Sequence, residues 1–493
     1  MPTRRRFLRT LAGLPAAFGA MAQIDALNAF QPKAQAQEGQ GTPLEMPTKP
    51  NFVLIMADDM GYGDWSGAGH PTIRTPNLER MARDGLTMTQ FYAGNPVCSP
   101  SRASLLTGRN NIRTGVLQVF LPVGGHGLPL SEIALPQALK PLGYKSACIG
   151  KWHLGSEPEY RPLKRGFDEF YGLLYSNNMY SPDLYQNDEV IEHPAKQETL
   201  TERYTNQAVA FIERNQGGPF FLYLPHTMPH TPLAASEAFR GRSPRGLYGD
   251  VIEEIDFSVG QIMDTLGRLG LSEKTLVVFT SDNGPWTTQK QDGGSPGLFS
   301  GAKGTTWEGG MRVPALFCQK GMIKAGSISL SVGSFIDIFP TFLSLAGGQI
   351  PNDRPIDGVD LSGALFNGKN PERTIYYYQG AQLNAIRKGK WKLHTRYYDL
   401  NELAYDVLTS WIRPQTPLLF DLEADPSEKF DLAPDHPDIV QDLSTTAQEY
   451  EANIERLAEN QDLIRWFQRE WPAWQTIHQG MKGAESRKRN QAE

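Results

Sequence analysis

Four polar clusters in this chain of 493 residues carry side chains of the kinds that can hold a hard cation and move protons. They are Asp58-Asp59, Gly150-Lys151-Trp152-His153-Leu154-Gly155, His226-Thr227-Met228-Pro229-His230 and Asp282-Asn283-Gly284. An Asp-Asp pair and an Asp-Asn pair offer oxygen without sulfur or nitrogen, which favours calcium or magnesium over zinc. Taken singly, each cluster has a plainer reading. An Asp-Asp pair is more often a solvated turn, and His226 or His230 could each be a satisfied loop histidine. A fifth segment, Cys98-Ser99-Pro100-Ser101-Arg102, running on as Ala103-Ser104-Leu105-Leu106-Thr107-Gly108-Arg109, sets a thiol four residues ahead of a guanidinium. An ordinary thiol is its plain alternative.

The elements that must position these residues are short apolar runs. Asn51–Ala57 is continuously apolar after its first residue and too short for a confident helix, the pattern of a strand buried on both faces of a parallel sheet. Similar runs recur at Ser146–Ile149, Phe220–Leu224, Leu276–Phe279 and Ala315–Phe317. Helical patterns separate them at Glu132–Leu142, Glu198–Asn215 and Tyr248–Leu269, and this alternation predicts a doubly wound α/β domain over residues 51–375. In such sheets ligands bind beyond the carboxyl ends of the strands, and four of the polar clusters follow four of the runs directly. From about Tyr376 the alternation stops. Asn384–His394 reads as a hairpin, Leu418–Leu422 as a strand and Pro437–Leu457 as a helix, so residues 376–480 are expected to form a smaller α+β domain with an antiparallel sheet. Residues 481–493 form a polar tail expected to be disordered.

Hydrophobic residues make up 40% of the chain and charged residues 21%, as in a soluble globular protein. A net charge of -6 without a basic stripe argues against nucleic acid as a partner. Three scattered cysteines suit neither a disulfide framework nor a zinc site, and Cys148 and Cys318 read as buried strand residues. The first residues, Thr3-Arg4-Arg5-Arg6-Phe7-Leu8-Arg9, resemble a twin-arginine export signal, with an Ala-rich run behind them and an Ala34-Gln35-Ala36 triplet suited to cleavage. Residues 1–36 are thus expected to be the signal and 37–50 a linker. No later run is long and apolar enough for a membrane span, and a periplasmic or secreted enzyme that uses the twin-arginine machinery is expected.

The Cys98–Arg109 segment resembles the signature of the type I sulfatases. Gly143–Gly155 is similar to their second signature, with Ser146 where threonine is usual. Gly301-Ala302-Lys303-Gly304-Thr305-Thr306-Trp307-Glu308-Gly309-Gly310 resembles the segment supplying their last active-site lysine, in wording closest to the arylsulfatase A and N-acetylgalactosamine-6-sulfatase branch. The resemblance implies an alkaline-phosphatase-like mixed sheet flanked by helices. It also implies that a maturation enzyme oxidises Cys98 to formylglycine, whose hydrate attacks a sulfate ester and later expels sulfate. Calcium ligands would fall on Asp58, Asp59, Asp282 and Asn283, with the Cys98 side chain facing the metal; magnesium is the alternative. Arg102 would pair with the formylglycine hydroxyl and with Asp58 or Asp59. Lys151 and Lys303 would bind sulfate oxygens, His230 with Lys303 would protonate the leaving oxygen, His153 would take a proton during sulfate expulsion, and Asp282 would assist the first attack. His230 is preferred to His226 because Pro229-His230-Thr231-Pro232 better matches the family pattern.

The expected activity is hydrolysis of an aryl or carbohydrate sulfate monoester. Two alternatives stand beside it: a phosphate or phosphonate ester hydrolase of the same superfamily, and a silent sulfated-glycan-binding protein in which Cys98 stays a thiol. Retention of Arg102, Lys151, His153, His230 and Lys303 together argues against the silent binder. For Tyr175, Tyr180 and Trp286, in loops near strand ends, ordinary packing is favoured over a place in the substrate pocket, and Trp307 also reads as a packing residue.

Overall fold

Every residue of the first strand, β1 (Asn51–Ala57), is buried, as its unbroken apolar run requires when helices cover both faces of a sheet. A computed structural model of the chain describes residues 49–122, 124–179, 181–397, 416–457, 459–467 and 469, all within one compact unit spanning 45–493. The expected export signal, nearly all of the linker, the polar tail and Tyr180 lie outside the described residues.

Ten strands form the larger sheet: β1, then β2 (Leu86–Tyr92), β3 (Lys145–Lys151), β4 (Glu169–Leu173), β5 (Leu184–Gln186), β6 (Glu189–Glu192), β7 (Phe220–Pro225), β8 (Thr275–Ser281), β9 (Ala315–Cys318) and β10 (Ser327–Ser334). Their order is β10-β2-β9-β8-β1-β7-β3-β4-β5-β6. The centre, β8-β1-β7-β3-β4, is parallel throughout. The sheet becomes mixed because β9 runs antiparallel to both neighbours and β4-β5-β6 closes the other side as an antiparallel ribbon.

Helices cover both faces. On Leu200–Asn215 the buried residues Leu200, Tyr204, Ala208, Phe211 and Ile212 recur at helical spacing, while Glu202 and Arg214 lie exposed, the solvated face expected of this segment. This helix and the longer Leu247–Arg268 pack with Val53, Ile55, Leu222 and Leu224 in one core, while Phe52, Leu54, Phe221 and Tyr223 point into the core on the opposite face. Cys148 and Cys318 are buried strand residues, as read.

The second sheet is antiparallel, in the order β11 (Thr374–Gln379), β12 (Gln382–Lys388), β13 (Trp391–His394) and β14 (Leu418–Asp421). The hairpin read at Asn384–His394 is β12-β13, and the last helix runs Pro437–Ala452, ending five residues before its expected limit. Tyr378, Ile386, Leu393 and Leu419 of this sheet share a buried cluster with Phe52 of β1 and with Phe339.

Candidate active site

The parallel centre of the sheet brings the polar clusters together. In register, Ala57 of β1 lies beside Ser281 of β8, so the next residues, Asp58 and Asp282, leave adjacent strands side by side. β7 releases the loop bearing His230, β3 ends at Lys151, and β4 leads into Tyr175-Ser176. Five neighbouring strand ends therefore face one volume. Close strand spacing here depends on Gly150, whose φ is 132° and where a Cβ would lie 1.9 Å from the Pro225 carbonyl oxygen. Asp59 and His153 have φ of 68° and 59°, the left-handed region that costs a non-glycine residue about 1 kcal/mol or more.

Cys98 opens the buried helix Cys98–Thr107, and Arg102 lies one turn later on the same face. The Cys98 Sγ is 3.8 Å from Asp58 Oδ1. Arg102 donates through Nε and Nη2 to Asp282 Oδ2 at 3.1 and 2.8 Å, through Nη2 to Asp58 Oδ2 at 3.0 Å, and through Nη1 to the Lys151 carbonyl at 2.6 Å. Its carboxylate partners are thus Asp58 and Asp282, and Asp59 is instead held by Lys303. Burial pushes the Cys98 thiol up to about 12 although Lys151 and Lys303 oppose it.

Lys151 Nζ reaches Asp58 Oδ2 at 2.6 Å and Ser176 Oγ at 3.1 Å. Lys303 Nζ lies 2.7 Å from Asp59 Oδ2 and 4.5 Å from the centre of the Trp286 ring, a cation–π contact. Burial would lower the Lys303 ammonium, but Asp59, Cys98 and Asp58 together hold it above its usual range. The His230 ring sits 5.3 Å from Trp286, and its Nε2 lies 3.7 Å from Asp59 Oδ2. Its Nδ1 is 2.7 Å from the Thr231 carbonyl, which can only accept, so Nδ1 carries the proton in that bond. By the same reasoning His153 Nε2, 3.0 Å from the Phe120 carbonyl, is the donor, leaving His153 Nδ1 as a buried lone pair without a hydrogen-bond partner. Burial first, and then neighbouring cations, hold both imidazoles well below the usual histidine range.

Residues 50–348 match the model of the sulfatase family, and residues 370–478 match that of the C-terminal region of aryl-sulfatase. The chain belongs to the sulfatase family. N-acetylgalactosamine-6-sulfatase of Mus musculus is 41% identical to this sulfatase over 449 residues, covering 82% of this chain and 85% of the relative. Arylsulfatase A of Bos taurus is 39% identical over 429 residues, covering 79% and 84%. Among solved structures, the PsFucS1 sulfatase from Pseudoalteromonas sp. superposes with a TM-score of 0.76 at 28% identity, covering 82% of this chain and 90% of that one. The expected alkaline-phosphatase-like architecture is the one these sulfatases share, and the enzyme is a sulfuric ester hydrolase.

The sulfatase also carries a donor set that fits a hard cation. Ligand atoms of Asp58, Asp59, Cys98 and Asp282 lie within 4.8 Å of one another, all on buried residues. Asn283 donates through Nδ2 to Asp59 Oδ1 at 2.7 Å, while its Oδ1 is buried without a hydrogen-bond partner, an orphaned acceptor that a cation would satisfy. Oxygen predominates in this set, which is the chemistry of calcium or magnesium.

Three further positions complete the picture. Ser176, absent from the sequence reading, lies between Lys151 and the His230 ring, 3.4 Å from His230 Nδ1. Its only signal was adjacency to Tyr175 behind β4, a strand whose single apolar patch did not announce itself. Trp286, for which packing was favoured, packs against Lys303 and His230. His226 turns away toward Ser258, 3.3 Å from its Nε2, and Tyr204.

Proposed function

We propose that this sulfatase hydrolyses the sulfate monoester of a sulfated carbohydrate, with Cys98 converted to formylglycine and a calcium ion held by Asp58, Asp59, Asp282 and Asn283. The carrying observation is Cys98 itself. It sits at the start of a buried helix, 3.8 Å from Asp58 Oδ1, with its thiol pushed up to about 12. A thiol offers one attacking atom and no second hydroxyl through which the bound sulfate could be released. Formylglycine would supply, as its hydrate, one hydroxyl to attack sulfur and a second that lets sulfate depart. A divalent cation would neutralise charge on the sulfate group as attack proceeds, and magnesium fits the same oxygen donors.

The side chains do the remaining work. Three buried carboxylates, Asp58, Asp59 and Asp282, face three cationic groups, Arg102, Lys151 and Lys303. A divalent cation therefore leaves a positive surplus suited to an anionic ester. Arg102 fixes Asp58 and Asp282 with a rigid fork, and Asp282 assists the first attack. Lys151 and Lys303 hold sulfate oxygens. His153, with its proton committed to Phe120, keeps Nδ1 free to take a proton during sulfate release. The leaving oxygen takes its proton from the Lys303 and His230 pair. Lys303, protonated in the resting site, gives its proton to the leaving oxygen as the sulfur–oxygen bond breaks, and neutral His230, whose Nδ1 proton is held by the Thr231 carbonyl, presents Nε2 to take a proton from solvent and return it to Lys303.

A carbohydrate substrate is supported by the relative named N-acetylgalactosamine-6-sulfatase. Tyr175, next in the chain to Ser176, lines a cavity of about 380 Å³ with Pro122, Met179, Asp183 and Tyr185, which could receive the sugar that bears the sulfate. Paired assays with aryl sulfate, aryl phosphate and 6-sulfated galactose and N-acetylgalactosamine test this. Faster hydrolysis of the phosphate would overturn it. Periplasmic delivery by the twin-arginine route belongs to the same reading, and cell fractionation checks it. No helix among the described residues is long and apolar enough to cross a membrane.

The deciding experiment is mass spectrometry of the tryptic peptide Asp84–Arg102 from protein made in its own host. Aldehyde in place of the Cys98 thiol is expected; an unmodified thiol in fully active enzyme would sink the mechanism.

A further inference from the structure

Lys303 stands in a glycine-rich loop whose own hydrogen bonds are few, a turn between Ala302 and Thr305 and the Gly309 N–H to the Ser300 carbonyl at 2.6 Å among them. Gly301 and Gly304 flank it with φ of 78° and 84°, Gly309 and Gly310 follow, and the stretch between Pro296 and Trp307 belongs to no strand or helix. Glycine-rich backbone of this kind loses more entropy on ordering than other sequence. Its tip makes two backbone bonds outside the loop, Lys303 N–H to the Pro285 carbonyl and Gly304 N–H to the Pro96 carbonyl, each at 2.9 Å.

Both limbs of the loop are gripped by residues far along the chain. On the outgoing limb, Ser300 Oγ donates to the Ser427 carbonyl at 2.5 Å, and Ser427 Oγ donates to the Leu298 carbonyl at 2.6 Å. On the returning limb, Lys392 Nζ, from β13, donates to the Thr306 carbonyl and to Glu308 Oε1, both at 2.9 Å. It also lies 2.9 Å from Glu428 Oε1, while Glu428 Oε2 accepts the Glu308 backbone N–H at 2.6 Å. His394, two residues along the same strand, is 2.6 Å from Glu428 Oε1 and packs its ring 4.6 Å from that of Trp307. The Lys392, Glu308, Glu428 and His394 side chains are all fully buried. Buried charges of this kind are costly unless their geometry is closely met, so the network defines a single arrangement of the loop.

We propose that Lys392, Ser427 and Glu428 are positioning residues, and that the second sheet, together with the turn that follows its last strand, serves as a clamp holding Lys303 against Asp59 and Trp286. The chemistry thus depends on residues that never touch the substrate, and a small displacement of a sulfate-binding lysine is enough to slow it severalfold or more. This rests on the reading of Lys303 as a participant in sulfate ester hydrolysis.

The test is a double-mutant cycle on the mature enzyme. Lys392→Met and Ser427→Ala are each made in the native background and with Lys303→Ala, and kcat and KM for an aryl sulfate are measured alongside thermal unfolding. Lys392→Met is expected to lower kcat/KM on the order of tenfold, and Ser427→Ala by about threefold. With Lys303 already removed, each is expected to add less than about twofold, since both act through that side chain. Equal losses in the two backgrounds would overturn the clamp, as would no loss in either. Ser427→Ala leaves every buried charge in place, so it decides the matter should Lys392→Met fail to fold. A fully active Lys303→Ala enzyme would instead remove Lys303 from the chemistry, an outcome separate from an impaired Lys303→Ala enzyme with uncoupled clamp variants.

Discussion

Lys151 and Arg102 close on the same oxygen of Asp58: Lys151 Nζ lies 2.6 Å and Arg102 Nη2 3.0 Å from Oδ2, with all three side chains fully buried. Arg102 also reaches Asp282, so a single guanidinium joins the ends of two neighbouring strands. A lysine cannot span both carboxylates.

Arg102→Ala is therefore expected to leave two buried carboxylates underpaired and to cost about 3–5 kcal/mol of stability along with essentially all activity. Arg102→Lys should recover charge but not the fork, and remain well below native activity. Urea unfolding and aryl sulfatase assays check this; near-native behaviour of the lysine variant would count against the bridging role.

Metal removal should act on stability as well as turnover. Dialysis against a chelator is expected to lower the unfolding temperature, and added calcium to restore it, because an ion bound only by the folded chain stabilises it by mass action. Asp282→Ala should show greatly reduced metal content by elemental analysis. A normal content in that variant would strike Asp282 from the ligand set.

Gly150→Ala tests the closeness of β3 and β7. With a Cβ placed 1.9 Å from the Pro225 carbonyl oxygen and φ at 132°, the strands must part. A loss of about 3 kcal/mol is expected, together with lower kcat through displacement of Lys151. A variant with native stability would show that the strands tolerate the separation.

Stability should fall as pH rises through the range set by Asp64. Burial pushes this carboxyl from 3.8 up to about 7, even though it accepts hydrogen bonds from Tyr248, Ser295 and Gly61. The folded state thus retains a proton that the unfolded chain gives up near pH 4, and the associated stability is full below that pH and lost as pH rises through about 7. Unfolding temperatures of the native protein and Asp64→Asn, compared from pH 5 to pH 8, should show a fall in the native protein relative to the variant. Parallel profiles would argue that Asp64 is ionised throughout.

The sequence reading reached the centre of the sheet because β1, β3, β7 and β8 are covered on both faces, so their apolar runs are unbroken. The outer strands escaped it for the opposite reason. β10, Ser-Ile-Ser-Leu-Ser-Val-Gly-Ser, lies at the sheet edge and exposes Ile328 and Leu330, and β2 mixes buried with partly buried residues. The antiparallel course of β9 has no local signature at all, since direction is decided by the connection and not by the strand. At the site, Asp58, Asp59 and Asp282 were readable from their place after strands, but which of them Arg102 would join depended on the register of β1 against β8. Ser176 went unseen with the strand that delivers it.

Asp59 and His153 hold left-handed backbone at two strand ends. Glycine would relieve the backbone at both positions by about 1 kcal/mol each, but at 59 it would also leave Lys303 and Asn283 without the buried carboxylate they hold, which costs more. Directed evolution for heat tolerance would therefore retain Asp59, while at 153, where Nδ1 has no hydrogen-bond partner, the relief of strain is set against the cavity left by the imidazole. Any screen on this scaffold has to score turnover in the same round as survival.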